Sequence, residues 1–290
     1  MIDIGRVFST SFAMLRQRFW PLVGMWAVFL AIQMAASTVL GVVMVVVGMA
    51  GVAGLGTGFD DPTALGGLGI VMIVFMVLFY GAYIVLLLAQ QAAMVTLGSP
   101  MEDPVFGTAM NRGFRSALPF FGLSVLLVLG YFALTAAVLA VVSLATVGGG
   151  AVGGLLGGLL GLLMLPLVIW LACRLSVLVA VVAVDQVFNP IAALRRSWAV
   201  TQGKGLRILL ALIGFIGISL AALAVPFMLI FFAADMTETS PGTGIVLGIV
   251  GLLIFLPLFV VYSIYTATFT AALHCEVTGG GAERLEEVFA

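Results

Sequence analysis

The chain has 290 residues, of which 63% are hydrophobic and only 8% charged, with a formal net charge of −1. Soluble domains carry about 25% Asp, Glu, Lys and Arg, so eleven basic and twelve acidic side chains are too few to clothe a water-facing surface. That composition excludes a cytosolic enzyme, a nucleic-acid binder and a disordered tail, and a mean hydropathy of +1.33 points to an integral membrane protein.

A helix crosses a bilayer core about 30 Å thick with roughly 20 apolar residues. At the start of the chain Ile4, Phe8, Phe12, Leu15 and Phe19 recur at steps of three or four, the signature of one helical face, behind Asp3 as an N-cap. The first span follows from about Pro21 to Met49, with no charge between Arg18 and Asp60. It is read as an uncleaved span, because its apolar run far exceeds the roughly 7–15 residues of a signal h-region. The second span runs from about Leu68 to Leu97. Asp103-Pro104 then reads as an N-cap with proline at the first helical position, and Phe106, Met110 and Phe114 recur every four residues. The third span covers about Leu118 to Val147, and the fourth about Gly153 to Val184, interrupted by Arg174. Asn189-Pro190 repeats the capping signal ahead of Ile191, Leu194 and Trp198. Spans from about Ile208 to Ala234 and Gly244 to His274 complete the set. Membrane β-strands would alternate apolar and polar residues over about ten positions, and these runs do not. The expected fold is an all-α membrane protein of six transmembrane helices with three amphipathic helices in the plane of the interface.

Basic residues set the orientation. Arg6, Arg16 and Arg18 precede the first span, Arg112 and Arg115 lie between the second and third, and Arg195, Arg196, Lys204 and Arg207 lie between the fourth and fifth. Arg284 is in the C-terminal tail. The connections after the odd-numbered spans carry only Asp60, Asp61, Asp235 and Glu238 as charges. The positive-inside rule therefore places both termini in the cytoplasm. Arginines on interfacial helices would meet anionic head groups, which makes membrane lipids the expected partner.

The cytoplasmic segments resemble one another. Ala109-Met110-Asn111-Arg112-Gly113-Phe114 aligns with Ala193-Leu194-Arg195-Arg196-Ser197-Trp198, 84 positions later. Three modules of a basic helix followed by two spans are expected, at about 1–99, 100–185 and 186–290. Gly149, Gly153, Gly157 and Gly161, beside Gly150, Gly154 and Gly158, give the fourth span a smooth face on which another helix of the bundle or a second copy could pack closely; the sequence sets no oligomeric state. Pro166, Pro226 and Pro257 lie inside spans and are expected to kink them.

Arg174 is the one base inside a predicted span, and such a side chain should face protein or water rather than lipid. Eleven residues separate it from Asp185, nearly three turns, so on one continuous helix the two share a face about 16 Å apart. Gln90 and Gln91 in the second span lie at a similar depth, and Tyr262, Thr266, Thr270 and His274 form a polar stripe along the sixth. The expectation is a polar cluster of these seven residues around Arg174, which either takes a lipid phosphate or holds the even-numbered spans in register.

One histidine and two cysteines build no metal site, and no nucleophile–base–acid set is visible. The run Gly54-Leu55-Gly56-Thr57-Gly58 lacks the lysine of a phosphate loop and reads as an outer linker. No catalytic residue, metal or cofactor is expected.

Arg174, the apolar stretch to Asp185, Asn189-Pro190-Ile191-Ala192-Ala193-Leu194-Arg195-Arg196-Ser197-Trp198 and Thr201-Gln202-Gly203 together resemble a bacterial family of six-span membrane proteins. The family includes the membrane domain attached to some glycerophosphoryl diester phosphodiesterases and the YciC-like inner-membrane proteins. In the linked enzymes catalysis belongs to a soluble domain rich in metal-binding acids and histidines. This sequence has no counterpart to it, so diesterase activity is not carried over. The resemblance implies a bacterial inner-membrane protein with an envelope- or lipid-related role. The functional expectation is a non-enzymatic organiser of lipid or envelope, against a small-molecule or lipid permease or an accessory subunit of a membrane complex.

Overall fold

The computed structural model describes residues 2–55, 62–147 and 150–280. Gly56, Thr57 and Gly58 of the outer linker, Asp60, Asp61, Gly149 and Arg284 lie outside the described residues. The regular elements among the described residues are helices: α1 (Ile4–Gln17), α2 (Phe19–Leu55), α3 (Pro62–Leu97), α4 (Phe106–Val147), α5 (Gly150–Leu175), α6 (Leu178–Ala183), α7 (Pro190–Val200), α8 (Gly205–Thr239) and α9 (Pro241–Val277). Six stretches are long and apolar enough to cross a membrane, carried by α2, α3, α4, α5 with α6, α8 and α9. They fall where hydropathy placed them.

Exposure follows from that composition. Val39, Ile73, Leu129, Leu220 and Leu253 each leave more than half their surface uncovered by the chain. An apolar exterior of this extent suits lipid, where helices satisfy their own backbone groups. Burial is concentrated at the end of the bundle that carries the bases, in residues 89–97, 177–184 and 264–274. There the ends of α3 and α9 and the whole of α6 pack on one another. Ala89, Ala93, Ala180, Ala183, Ala267 and Ala271 are at most 1% exposed. Side chains this small let the three helices approach closely, and Thr96 fastens the junction by donating to the carbonyls of Ala92 (2.8 Å) and Ala183 (3.4 Å).

Around this centre, α1 lies on α9, the start of α4 on α3, and α7 on α5 and α6. The three helices begin at Ile4, Phe106 and Pro190. Asp3 and Asn189 cap theirs as expected: Asp3 accepts from Arg6 N (3.3 Å), and Asn189 Oδ1 from Ile191 N (3.0 Å) and Ala192 N (3.3 Å). Asp103 does not. Its carboxylate is paired with Arg18, and α4 starts only after Val105. Side-chain burial runs in step along the three helices. Val7, Ala109 and Ala193 are buried, Ser9, Asn111 and Arg195 exposed, Ser11, Gly113 and Ser197 buried, and Phe12, Phe114 and Trp198 exposed.

The structure departs from the sequence reading in two places. The second short helix is not separate, because α4 runs unbroken through Pro119 from the basic end into the span. The chain breaks after α1 at Arg18 and after α7 at residues 201–204, whereas Phe120 stands at the corresponding place in α4. After α7 the turn uses Gly203 at φ +73°, a backbone conformation that glycine takes freely. The fourth span also divides at Ser176-Val177, so α6 does not continue α5 and the shared face drawn for Arg174 and Asp185 is lost. At the break the Arg174 carbonyl accepts from Ser197 Oγ (2.6 Å), which ties the end of α5 to α7.

At Gly113, α4 packs tightly against α3. A Cβ there would sit 2.6 Å from both the Ala89 carbonyl oxygen and the Ala93 Cβ. Gly113→Ala is expected to cost about 1–3 kcal/mol through overpacking, read as a lowered unfolding midpoint in detergent. Gly217→Ala, where a Cβ meets nothing within 4 Å, should leave the midpoint unchanged or raise it.

Candidate functional site

The seven residues expected to converge lie in three settings. Arg174 sits in the last turn of α5 and turns to α7. Its Nη1 donates to the Trp198 carbonyl (3.2 Å) and to Thr201 Oγ1 (3.4 Å). The guanidinium carbon lies 5.5 Å from the Trp170 ring centre and 5.2 Å from that of Trp198. The two indoles meet edge to face, with centroids 4.9 Å apart and planes at 84°. A cation at a helix C-terminus complements the exposed carbonyls, so Arg174 caps α7 while Ser197 caps α5. Its Nε is buried, with no hydrogen-bond partner among the described residues.

Gln90 accepts from Gln33 Nε2 on α2 (2.7 Å), and Gln91 is half-buried beside it. On α9 the stripe is spent largely within its own helix. Thr266 donates to the Tyr262 carbonyl and Thr270 to that of Thr266, each at 2.8 Å, the back-bonding open to a hydroxyl inside a helix. Tyr262 packs beside Phe215 and Phe259. His274 is 1% exposed, and its Nε2 lies 3.3 Å from Asp185 Oδ2, which is 3.8 Å from Arg196 Nε. This link joins α9 to α7 through the α6–α7 connection, where Gln186 takes a left-handed φ of 56° and turns the chain.

The basic residues also divide. Arg18 donates to the carbonyls of Leu97 (2.7 Å), Ser99 (3.2 Å) and Glu102 (3.1 Å) and pairs with Asp103. Lys204 donates to the Val277 carbonyl (2.5 Å), and Arg207 to that of Ile2 (3.4 Å). Arg112 pairs with Glu102. Arg18, the C-cap of α1, and Lys204, the N-cap of α8, thus cover the last carbonyls of α3 and α9, groups with no partner inside their helices. Arg16, Arg115 and Arg195 are exposed and bond to none of the other described residues.

Facing outward between α8 and α9 is an apolar cleft of about 480 Å³, lined by Phe215, Ser219, Leu223, Phe227, Met228 and Tyr262. A second of about 460 Å³ continues it past Phe231 and Phe232. Ser219 spends its hydroxyl on the Phe215 carbonyl (2.7 Å). Cys173 and Cys275 are both free.

No family model, curated protein or solved structure matches this chain. The resemblance drawn from its motif residues therefore rests on those residues alone.

Sequence reasoning missed Gln33, Trp170 and the capping role of Arg18. Gln33 is the lone amide of its span, and Trp170 precedes Arg174 by four residues, the spacing of helix neighbours; both signals were there to be used. Arg18 reaches across 79 residues to Leu97, which no local pattern discloses.

Hydrogen bonds to a charged group contribute about 1.5–3 kcal/mol each, and loss of one partner strands the other. Arg18→Met should lower the unfolding free energy in detergent by at least about 2 kcal/mol on that scale. Arg16→Met, two residues earlier and exposed, should leave it within error.

Proposed function

We propose that this chain is a multi-pass protein of a bacterial inner membrane, with both termini cytoplasmic, that organises lipid at the cytoplasmic face without catalysing a reaction. One observation carries the reading: exposed apolar side chains and unbonded arginines alternate on the helices at the basic end. Phe12, Phe114 and Trp198 are exposed, as are Arg16, Arg115 and Arg195. A helix lying in the interface uses the apolar groups to enter the acyl boundary and the cations to meet head groups. Trp20, 77% exposed at the start of α2, suits the same level.

The arrangement of three helix-span-span modules gains support from the helix starts at Ile4, Phe106 and Pro190 and from the burial pattern that runs in step along them. Each of α1, α4 and α7 rests on the second span of a different module. A transport route along the centre of the bundle finds no support at the basic end, where six alanines close α3, α6 and α9 onto one another. The family resemblance points to the same envelope- or lipid-related role.

A deletion strain and proteoliposomes test this together. The proposal expects altered phospholipid composition or envelope permeability in the deletion strain, restored by the wild-type chain, and no substrate-dependent flux in proteoliposomes. Flux of a small solute or a lipid through the purified protein would replace it with a permease.

A further inference from the structure

The contact of α7 with the end of α5 repeats that of α4 with α3, yet its chemistry differs. Where α4 meets α3, Gly113 and Ala89 touch with no charge and no ring between them. Packing at this register therefore needs neither an arginine nor a tryptophan. At the α5–α7 contact the chain installs Arg174 between Trp170, 45% exposed, and Trp198, 40% exposed.

The depth of the group is set by its helix. The span continues from α5 into α6, to Ala183, but α6 is buried inside the protein, so the lipid-facing part of the span ends with α5, one residue after Arg174. Arg174, in the last turn of α5, lies beside two half-exposed indoles, side chains that favour the head-group layer. Both bonds of the guanidinium start from Nη1. The opposite edge holds Nε, buried without an acceptor among the described residues, a state that costs energy unless an oxygen reaches it. Nε and Nη2 together make the planar fork that grips two oxygens of a phosphate. Arg195 is exposed and bonded to none of the other described residues; it lies three residues before Trp198 and so next to it on the surface of α7.

We propose that Arg174, flanked by Trp170 and Trp198 and assisted by Arg195, binds the phosphate of an anionic phospholipid on the cytoplasmic leaflet. The lipid phosphate takes the Nε edge as an indole swings aside, the indoles pack against the glycerol and upper acyl carbons, and Arg195 balances the remaining charge. Nη1 stays on α7, so an occupied site stiffens the α5–α7 junction. This rests on the cytoplasmic placement of the basic end, and its test is independent of any phenotype in a deletion strain.

The experiment is lipid retention by the purified full chain in native mass spectrometry, titrated with phosphatidylglycerol or with diacylglycerol, which has the same acyl chains and glycerol but no phosphate. The wild type should prefer phosphatidylglycerol by about tenfold, the scale of one charge-assisted fork. Arg174→Gln should bring the two lipids to parity. Arg174→Lys, which keeps the cation against the Trp198 carbonyl and so the fold, should lose most of the preference, and Arg195→Gln part of it. Arg115→Gln, which removes an exposed arginine elsewhere, should retain it in full. Full preference in Arg174→Lys, or an equal loss in Arg115→Gln, would overturn the site. Release of the lipid by inorganic phosphate would also overturn it, since the site would then read free phosphate. If Arg174→Gln fails to fold, Arg174→Lys and Arg195→Gln decide by the same criteria.

Discussion

In a chain this poor in charge, a few cations are spent where helices end, because that is where backbone carbonyls run out of partners and where water or head groups can share the cost. The basic end does this repeatedly. Arg18 covers carbonyls at the end of α3, Lys204 that of Val277 on α9, and Arg174 that of Trp198 on α7. The donors come from elements distant in sequence, so capping a helix and joining it to its neighbour are a single act. Away from this end the spans carry exposed apolar surfaces of the kind that lipid covers.

The same economy explains which parts were legible in the sequence. Span number and position follow from runs of apolar residues, a property each segment carries by itself. The caps at Asp3 and Asn189 are likewise local, since a short polar side chain reaches an amide two or three residues on. Asp103 had the same local signature and went elsewhere, because Arg18 competes for its carboxylate across 85 residues. The break between α5 and α6 has no glycine or proline to announce it; Ser197, 23 residues later, draws the Arg174 carbonyl out of the ladder. Periodicity treats the fourth span as continuous, and the phase between Arg174 and Asp185 fails with that continuity.

The polar residues divide for a related reason. Hydroxyls on a helix have a carbonyl four residues back within reach, so Thr266 and Thr270 spend themselves on α9. Amides and rings have no such option and reach other elements, as Gln33 on α2 does to Gln90 on α3 and His274 on α9 to Asp185 in the α6–α7 connection. Arg174 combines both habits: its backbone and one nitrogen bind α7, and its Nε has no hydrogen-bond partner among the described residues. Small residues let the helices meet; the few large polar ones fix which helix meets which.

Sidedness is the claim on which the lipid-directed account stands, and substituted-cysteine labelling tests it most directly. In a background lacking Cys173 and Cys275, a single thiol would be placed at Ser240, between α8 and α9, or at Gln202, between α7 and α8; both positions are exposed. The account predicts that a membrane-impermeant maleimide labels Ser240→Cys in intact cells and reaches Gln202→Cys only in inverted vesicles. Labelling of Gln202→Cys from outside intact cells would contradict it.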